Sequence, residues 1–135
     1  MELFTSHSVV EAIFRQIESA PNPKPELTDD QLYCLEAILA GNFERSLELI
    51  DKGKIQCYVG KESGRRIFQV KGKSASYTVF PKHYCSCQSY FYSVFVRSDS
   101  TYCKHQLATR LADALGICPT SIVDDFTLAR MLLQE

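Results

Sequence analysis

The run Tyr77-Thr78-Val79-Phe80-Pro81-Lys82-His83-Tyr84-Cys85-Ser86-Cys87, followed after fifteen residues by Cys103-Lys104-His105, decides how this chain folds. Cys85 and Cys87 sit one residue apart at the end of a strand-like stretch. Alternate residues of a strand point to the same side, so both sulfurs reach one point in space. Cys103 and His105 repeat that spacing. Three thiolates and one imidazole complete a tetrahedral shell and leave no position for a water, which marks a structural metal rather than a hydrolytic one. A mixed sulfur and nitrogen shell of this kind suits zinc. The expectation is one structural Zn2+ held by Cys85, Cys87, Cys103 and His105, fastening a sheet to the helix that follows. The shell carries a formal charge of about -1 when the ion is divalent, the sulfurs ionised and the imidazole neutral, and Lys104 and Arg110 lie close enough in sequence to offset it. His83, two residues before Cys85, is a competing ligand. Cys34, Cys57 and Cys118 stand in apolar patterns and read as core residues.

Upstream of the metal pattern the chain reads as strands. Ile55, Cys57 and Val59 alternate with more polar residues. Glu62-Ser63-Gly64 makes a turn, Ile67, Phe68 and Val70 continue, and a second turn near Gly72 leads into Tyr77–Phe80. Three such runs at this spacing predict an antiparallel meander. Further upstream the period changes to helical. Val9, Val10, Ile13, Phe14 and Ile17 share one face of a helix over residues 8–19, with Ser8-x-x-Glu11 as a capping box. Pro21, Pro23 and Pro25 predict an extended spacer. Thr28-x-x-Gln31 opens a second helix bearing Leu32, Leu35, Ile38 and Leu39. Gly41 is expected to stop it and Asn42 to cap a third, which carries Phe43, Leu47 and Ile50 up to Gly53. Downstream of His105, Leu107, Ala108, Leu111, Ala112 and Leu115 define a helix ended by Gly116. A last helix starts at Asp124 or Asp125. Residues 89–96 fit a strand by composition and a buried helix by their continuous apolar character.

The fold class read from this order is α+β: an N-terminal helical region over residues 1–53, a β-meander plus zinc finger over 54–118, and a C-terminal helix over 119–135. A chain of 135 residues suits one modest core. The longest apolar run is too short to cross a bilayer. The N-terminus lacks the basic flank and apolar stretch of a signal peptide, so an intracellular protein with reduced or metal-bound cysteines is expected. The net charge of -1 conceals polarisation: residues 1–50 hold nine acids and three bases, residues 51–112 three acids and eleven bases. A basic middle on a nearly neutral chain points to one face for an anionic partner.

The pattern C-x-C, fifteen residues, C-x-H, with Ala108 shortly after, resembles the SWIM zinc finger. The likeness extends to Ser63-Gly64-Arg65-Arg66-Ile67-Phe68-Gln69-Val70, to His83-Tyr84-Cys85-Ser86-Cys87 and to Ser98-Asp99-Ser100. Together these resemble the SWIM-containing subunit of the Shu complex, a mediator of homologous recombination, most closely over residues 54–112. The chain departs from the family at Gln88, where proline commonly follows the second cysteine. The resemblance implies a nuclear protein with no enzymatic activity of its own. It implies an obligate RecA-like recombinase paralogue as partner, single-stranded DNA bound through the complex, and a role in assembling the recombinase filament during DNA repair.

The residues read alone agree with such a role. There is no G-x-x-x-x-G-K-[ST] loop, so nucleotide chemistry belongs to a partner. Lys54, Lys61, Arg65, Arg66, Lys71, Lys73 and Lys82 cluster along the strands, with Tyr58, Phe68 and Tyr77 between them. Basic residues interleaved with aromatic ones are how proteins hold single strands without reading their sequence. The competing class is a zinc-finger adaptor that binds only protein, as in ubiquitin-ligase assemblies. An enzyme is the third class, disfavoured by the closed shell and by only three histidines. The first and last helices both offer apolar stripes, for a partner or for each other.

Overall fold

The computed structural model describes residues 6–21, 26–96 and 102–133. Pro23, Pro25 and the Ser98-Asp99-Ser100 motif lie outside the described residues. Helix α1 spans Ser6–Ser19, α2 Asp29–Leu39 and α3 Gly41–Asp51. Strands β1 (Ile55–Gly60), β2 (Arg66–Lys71), β3 (Ser76–Phe80) and β4 (Tyr84–Cys85) follow. A wide π-type turn runs over Tyr90–Val96. Helix α4 (Lys104–Ala114), strand β5 (Thr120–Val123) and helix α5 (Asp125–Leu133) complete the chain. The fold is α+β as expected, with helices, sheet, Cys/His cluster and helices in that order. No described helix is long and apolar enough to cross a membrane.

Local signals place most elements. Thr28 caps α2 with both halves of the capping box: its hydroxyl accepts from Gln31 N at 3.1 Å and its own N–H donates to Gln31 Oε1 at 2.9 Å. Asp124 caps α5 by accepting from Thr127 N at 2.7 Å. Two cap assignments are corrected. The chain is already helical at Ser6, so Ser8 lies inside α1 and Glu11 is used elsewhere. The α2–α3 joint falls at Ala40, not Gly41. Ala40 has φ 49° and ψ −132° and ends one helix while beginning the next. Asn42 sits in the first turn of α3 and donates instead to the carbonyl of Tyr102 at 3.2 Å. A non-glycine residue in that backbone region stores about 1–3 kcal/mol of strain. Ala40→Gly should therefore raise the melting temperature, by about 1 kcal/mol of stability once the larger entropy of unfolded glycine is subtracted. A melting curve checks it.

The sheet order is β4-β3-β2-β1-β5. The meander of β1 to β3 is the expected one, with Cys57 opposite Phe68 and Phe68 opposite Val79. The short strand β4 extends it, pairing Cys85 with Val79. Strand β5 adds to the other edge, parallel to β1, with Cys57 against Thr120 and Gly60 against Val123. Sequence alone places only a helix in this segment, because four residues of Thr-Ser-Ile-Val carry too little pattern. Helix α5 is then anchored by Asp125, whose carboxylate accepts from Glu62 N at 3.1 Å and from the Ser63 hydroxyl at 2.6 Å. Gly60 is required here: a Cβ would collide with the Asp125 carboxylate and the Ser63 hydroxyl.

Helix α4 is the centre of the molecule. Leu107 and Leu111 pack with Val10, Phe14, Leu35 and Phe43 of the first three helices, while Ala108 and Ala112 pack with Cys57, Phe68, Val70 and Val79 of the sheet. Both sides are covered, so its polar residues are buried too and must find partners. Thr109 donates to the His105 carbonyl at 3.0 Å, and the Gln106 carboxamide oxygen accepts from Cys103 N at 3.1 Å. Arg110 is 3% exposed. Its guanidinium grips Glu11 with two nitrogens, donates to the Tyr102 hydroxyl at 2.7 Å and lies 4.3 Å above the Phe14 ring. Arg110 thus ties α4 to α1 and does not offset the charge of the metal shell.

The apolar stripes of the two terminal helices have different fates. That of α1 is covered within the chain: Val10, Phe14 and Ile17 are buried. That of α5 is mostly outward, with Leu128 buried but Phe126 and Leu133 exposed by 72% and 83%.

Candidate metal centre

The four expected ligands converge. One donor atom each from Cys85, Cys87, Cys103 and His105 lies within 4.8 Å of the others, and all four residues are buried. Two elements deliver them. Strand β4 ends on Cys85, and the chain turns back at Cys87. Cys103 is the N-cap of α4 and His105 lies in its first turn. All six cysteines are free thiols. His83 is exposed and outside the cluster; its carbonyl accepts from the Tyr90 hydroxyl at 2.6 Å.

The donor spacing fits zinc. Tetrahedral bonds of about 2.3 Å to sulfur and 2.0–2.1 Å to nitrogen place a sulfur and a nitrogen about 3.6 Å apart. Cys85 Sγ and His105 Nδ1 are 3.6 Å apart, so Nδ1 is the nitrogen turned toward the sulfurs. Surrounding groups hold the donors in place. Tyr90 N donates to Cys87 Sγ at 3.2 Å and Gln106 N to Cys103 Sγ at 3.4 Å. Such N–H···S bonds disperse thiolate charge and orient the ligand. The Tyr77 ring stacks on His105 with centroids 4.5 Å apart, fixing the plane of the imidazole.

Electrostatics point the same way. Hydrogen bonds from Cys103 and Cys85 hold the Cys87 thiol far below the usual range. Hydrogen bonds to Cys103 and Cys87, with burial, push Cys85 far above it. At Cys103 the Cys85 contact pulls downward, but the Cys87 contact and burial outweigh it and push the thiol up to about 12. Three sulfurs packed this closely therefore favour a single negative charge among them, and a divalent cation removes the conflict. A bound zinc would supply no chemistry beyond a crosslink between β4 and the start of α4.

The tyrosine-rich stretch after Cys87 resolves as a wide helix. Its first amide is captured by Cys87 Sγ, Tyr90 reaches back to His83, and the Tyr90 ring meets Tyr84 edge-on at 5.5 Å. These contacts outweigh the strand preference of the residues. Helical turns of this type recur at functional sites.

The basic residues separate into groups. Lys54, Lys71 and Lys73 meet at one end of the sheet, where β1 begins and β2 ends, around a cleft of about 500 Å³. Lys52, Lys104, Tyr77 and His105 also line it. Lys61 and Arg65 lie in the β1–β2 turn and Lys82 in the β3–β4 turn, at the opposite end. Arg66 is engaged: it pairs with Asp113 of α4 and lies 5.0 Å over Phe68, and the Asp113 contact raises its pKa further. Sequence alone misses Lys52 and Lys104 as cleft residues. Lys52 belongs to the end of a helix rather than to the strands, and Lys104 reads only as a countercharge.

No family model matches the chain, and no solved structure does. Curated relatives do match, over nearly its whole length. It is 34% identical over 130 residues to the human zinc finger SWIM domain-containing protein 7, covering 95% of this chain and 92% of that protein. The Danio rerio protein of the same name is 32% identical over equal shares. A Dictyostelium discoideum homologue is 38% identical over 106 residues, 77% of this chain and 68% of that one. These are named as zinc finger proteins, and a Cys3His centre of zinc dimensions is what this fold builds. The chain belongs to the family of zinc finger SWIM domain-containing protein 7.

Proposed function

We propose that this chain is a non-enzymatic subunit of a Shu-type recombination mediator in the nucleus. In this reading it pairs with a RecA-like recombinase paralogue, binds single-stranded DNA as part of that complex, and promotes assembly of the recombinase filament during homologous recombination. The observation that carries the reading is the cleft in which Lys52, Lys54, Lys71, Lys73 and Lys104 surround Tyr77 beside the metal centre. Glu48 also lines the cleft and pairs with Lys52 at 3.9 Å, and the other four lysines beside the Tyr77 ring suit a phosphodiester backbone with an accessible base. The partner is proposed to take the outward face of α5, where Phe126 and Leu133 stand exposed on a helix the chain itself buries only through Leu128. The partner also supplies the nucleotide site that this sequence lacks.

The complex purified from cells should contain a RecA-like paralogue and bind a single-stranded oligonucleotide with a steep salt dependence. Lys71→Glu with Lys73→Glu should weaken that binding at low salt by at least about tenfold, because each removed phosphate contact also removes a released counterion. Unchanged affinity, with ligase components recovered instead of a recombinase paralogue, would favour the adaptor that binds only protein.

A further inference from the structure

Strand β5 closes the sheet at the edge opposite β4, and among the described residues no strand lies beyond it. Its backbone alternates in direction. The carbonyls of Pro119 and Val123 accept from Cys57 N and Lys61 N, each at 2.8 Å. With Thr120 beside Cys57 and Ile122 beside Val59, this parallel register turns the N–H and C=O groups of Ser121 and Val123 toward β1, and those of Thr120 and Ile122 outward. Proteins blunt such an edge with lysine, proline or an inward charge. The strand Thr-Ser-Ile-Val carries neither a charge nor a proline. The opposite edge is different: β4 is two residues long and ends on the buried metal ligand Cys85.

The core face is also unfinished at the β5 edge. Residues opposite each other in neighbouring strands share a face, so Ile122 lies on the side where Cys57 and Val59 pack with Ala108 and Ala112 of α4. Cys57 is fully covered there, yet Ile122 is 72% exposed. Ile117 before the strand and Phe126 after it are exposed as well. Residues 113–135 hold four acids and one base. A second copy set edge to edge would bring like net charge against like, which opposes association, whereas a basic partner is attracted.

We infer that a protein partner adds an extended segment to the outer edge of β5. The segment's backbone bonds to Thr120 and Ile122, an apolar side chain covers Ile122, and lysine or arginine flanks the strand. Backbone bonds supply the affinity in this mode, and alternate side chains supply the specificity. The inference rests on the reading that a protein takes the outward side of the C-terminal segment, and gives that contact its form; it does not require the partner to be a recombinase paralogue.

The test compares the full chain alone with the full chain co-purified with its partner, by amide hydrogen exchange at single residues. The amides of Thr120 and Ile122 should exchange at least about tenfold more slowly in the complex, while those of Ser121 and Val123, already bonded to β1, should change less. Thr120→Pro and Ile122→Pro each remove one outward N–H and leave the ladder to β1 intact, the placement in which an edge strand tolerates proline. Each should weaken partner binding at least about tenfold, with zinc content and the melting curve of the chain alone close to wild type. Ile122→Val keeps both the amide and an apolar side chain and should bind as wild type does. Exchange on the wild-type complex decides the matter if a proline variant misfolds. A partner bound while the Thr120 and Ile122 amides exchange as fast as in the free chain would overturn strand addition and leave the partner on α5, where Phe126→Ala with Leu133→Ala would release it. Protection of the same two amides that rises with concentration of the chain alone would overturn it in favour of a second copy. A chain recovered from cells without any protein partner would sink both this inference and the reading beneath it.

Discussion

Removal of zinc from the purified chain is expected to unfold it rather than loosen it. Structural zinc in small finger peptides contributes about 10–16 kcal/mol, and a domain of this size is stable by about 5–15 kcal/mol in all. The ion would join β4 to the N-terminus of α4, and α4 is the element on which both apolar clusters rest. Loss of that crosslink therefore reaches the N-terminal helices as well as the sheet. Cys103→Ala should give insoluble or rapidly proteolysed protein, because it removes a metal ligand and also the side chain that caps α4 by accepting from Gln106 N. Circular dichroism and elemental analysis during titration with a chelator follow the transition directly. Metal-free protein with native helix content and protected amides would show that packing alone holds the fold.

The second large effect is expected at Arg110. A bidentate, nearly buried guanidinium makes its pair costly to break from one side, at about 3–5 kcal/mol. Glu11→Ala leaves that cation facing Phe14 and Tyr102 with Glu18 3.7 Å away from Nε. The melting temperature should fall by about 10 °C or more. Arg110→Met with Glu11→Leu should recover most of the loss, since an apolar pair of similar volume avoids the uncompensated charge. The pH dependence has a defined direction. Burial alone would raise the Glu11 carboxyl, but hydrogen bonds from Arg110 and Tyr102 outweigh it and hold it below the usual value of 4.5. Its stabilising contribution is therefore complete above that value and lost as pH falls through the lower, folded one. Acid titration of the wild type against Glu11→Gln isolates this component from protonation of the metal ligands, which both proteins share. A Glu11→Gln protein with wild-type melting behaviour at neutral pH would remove the clamp from the account.

Local chemistry makes much of this fold legible in the order of residues. The metal ligands stand out because a tetrahedral ion needs pairs of donors on short spacings, and C-x-C with C-x-H meets that need within a few residues. Thr28 and Gln31 mark the start of α2 because a cap and its reciprocal lie one turn apart. The meander follows from alternation and turn residues. Where two local signals compete, local reading fails. Ser8 and Glu11 have capping-box spacing, but the helix begins earlier and Glu11 serves Arg110, 99 positions away. At the α2–α3 joint, Gly41 has the chemistry of a breaker while the strained residue is Ala40.

Sequence by itself determined the α+β order, the Cys3His shell and the uneven distribution of charge, since each depends on residues near one another along the chain. Only the tertiary structure decided that β5 closes the sheet beside β1, that α4 is covered on both sides, and that lysines from the start of α4, the end of β2, the segment between α3 and β1 and the β2–β3 turn meet beside Tyr77. Those outcomes rest on strand register and helix packing between segments dozens of residues apart. No local periodicity encodes which distant surfaces exclude water from each other most completely.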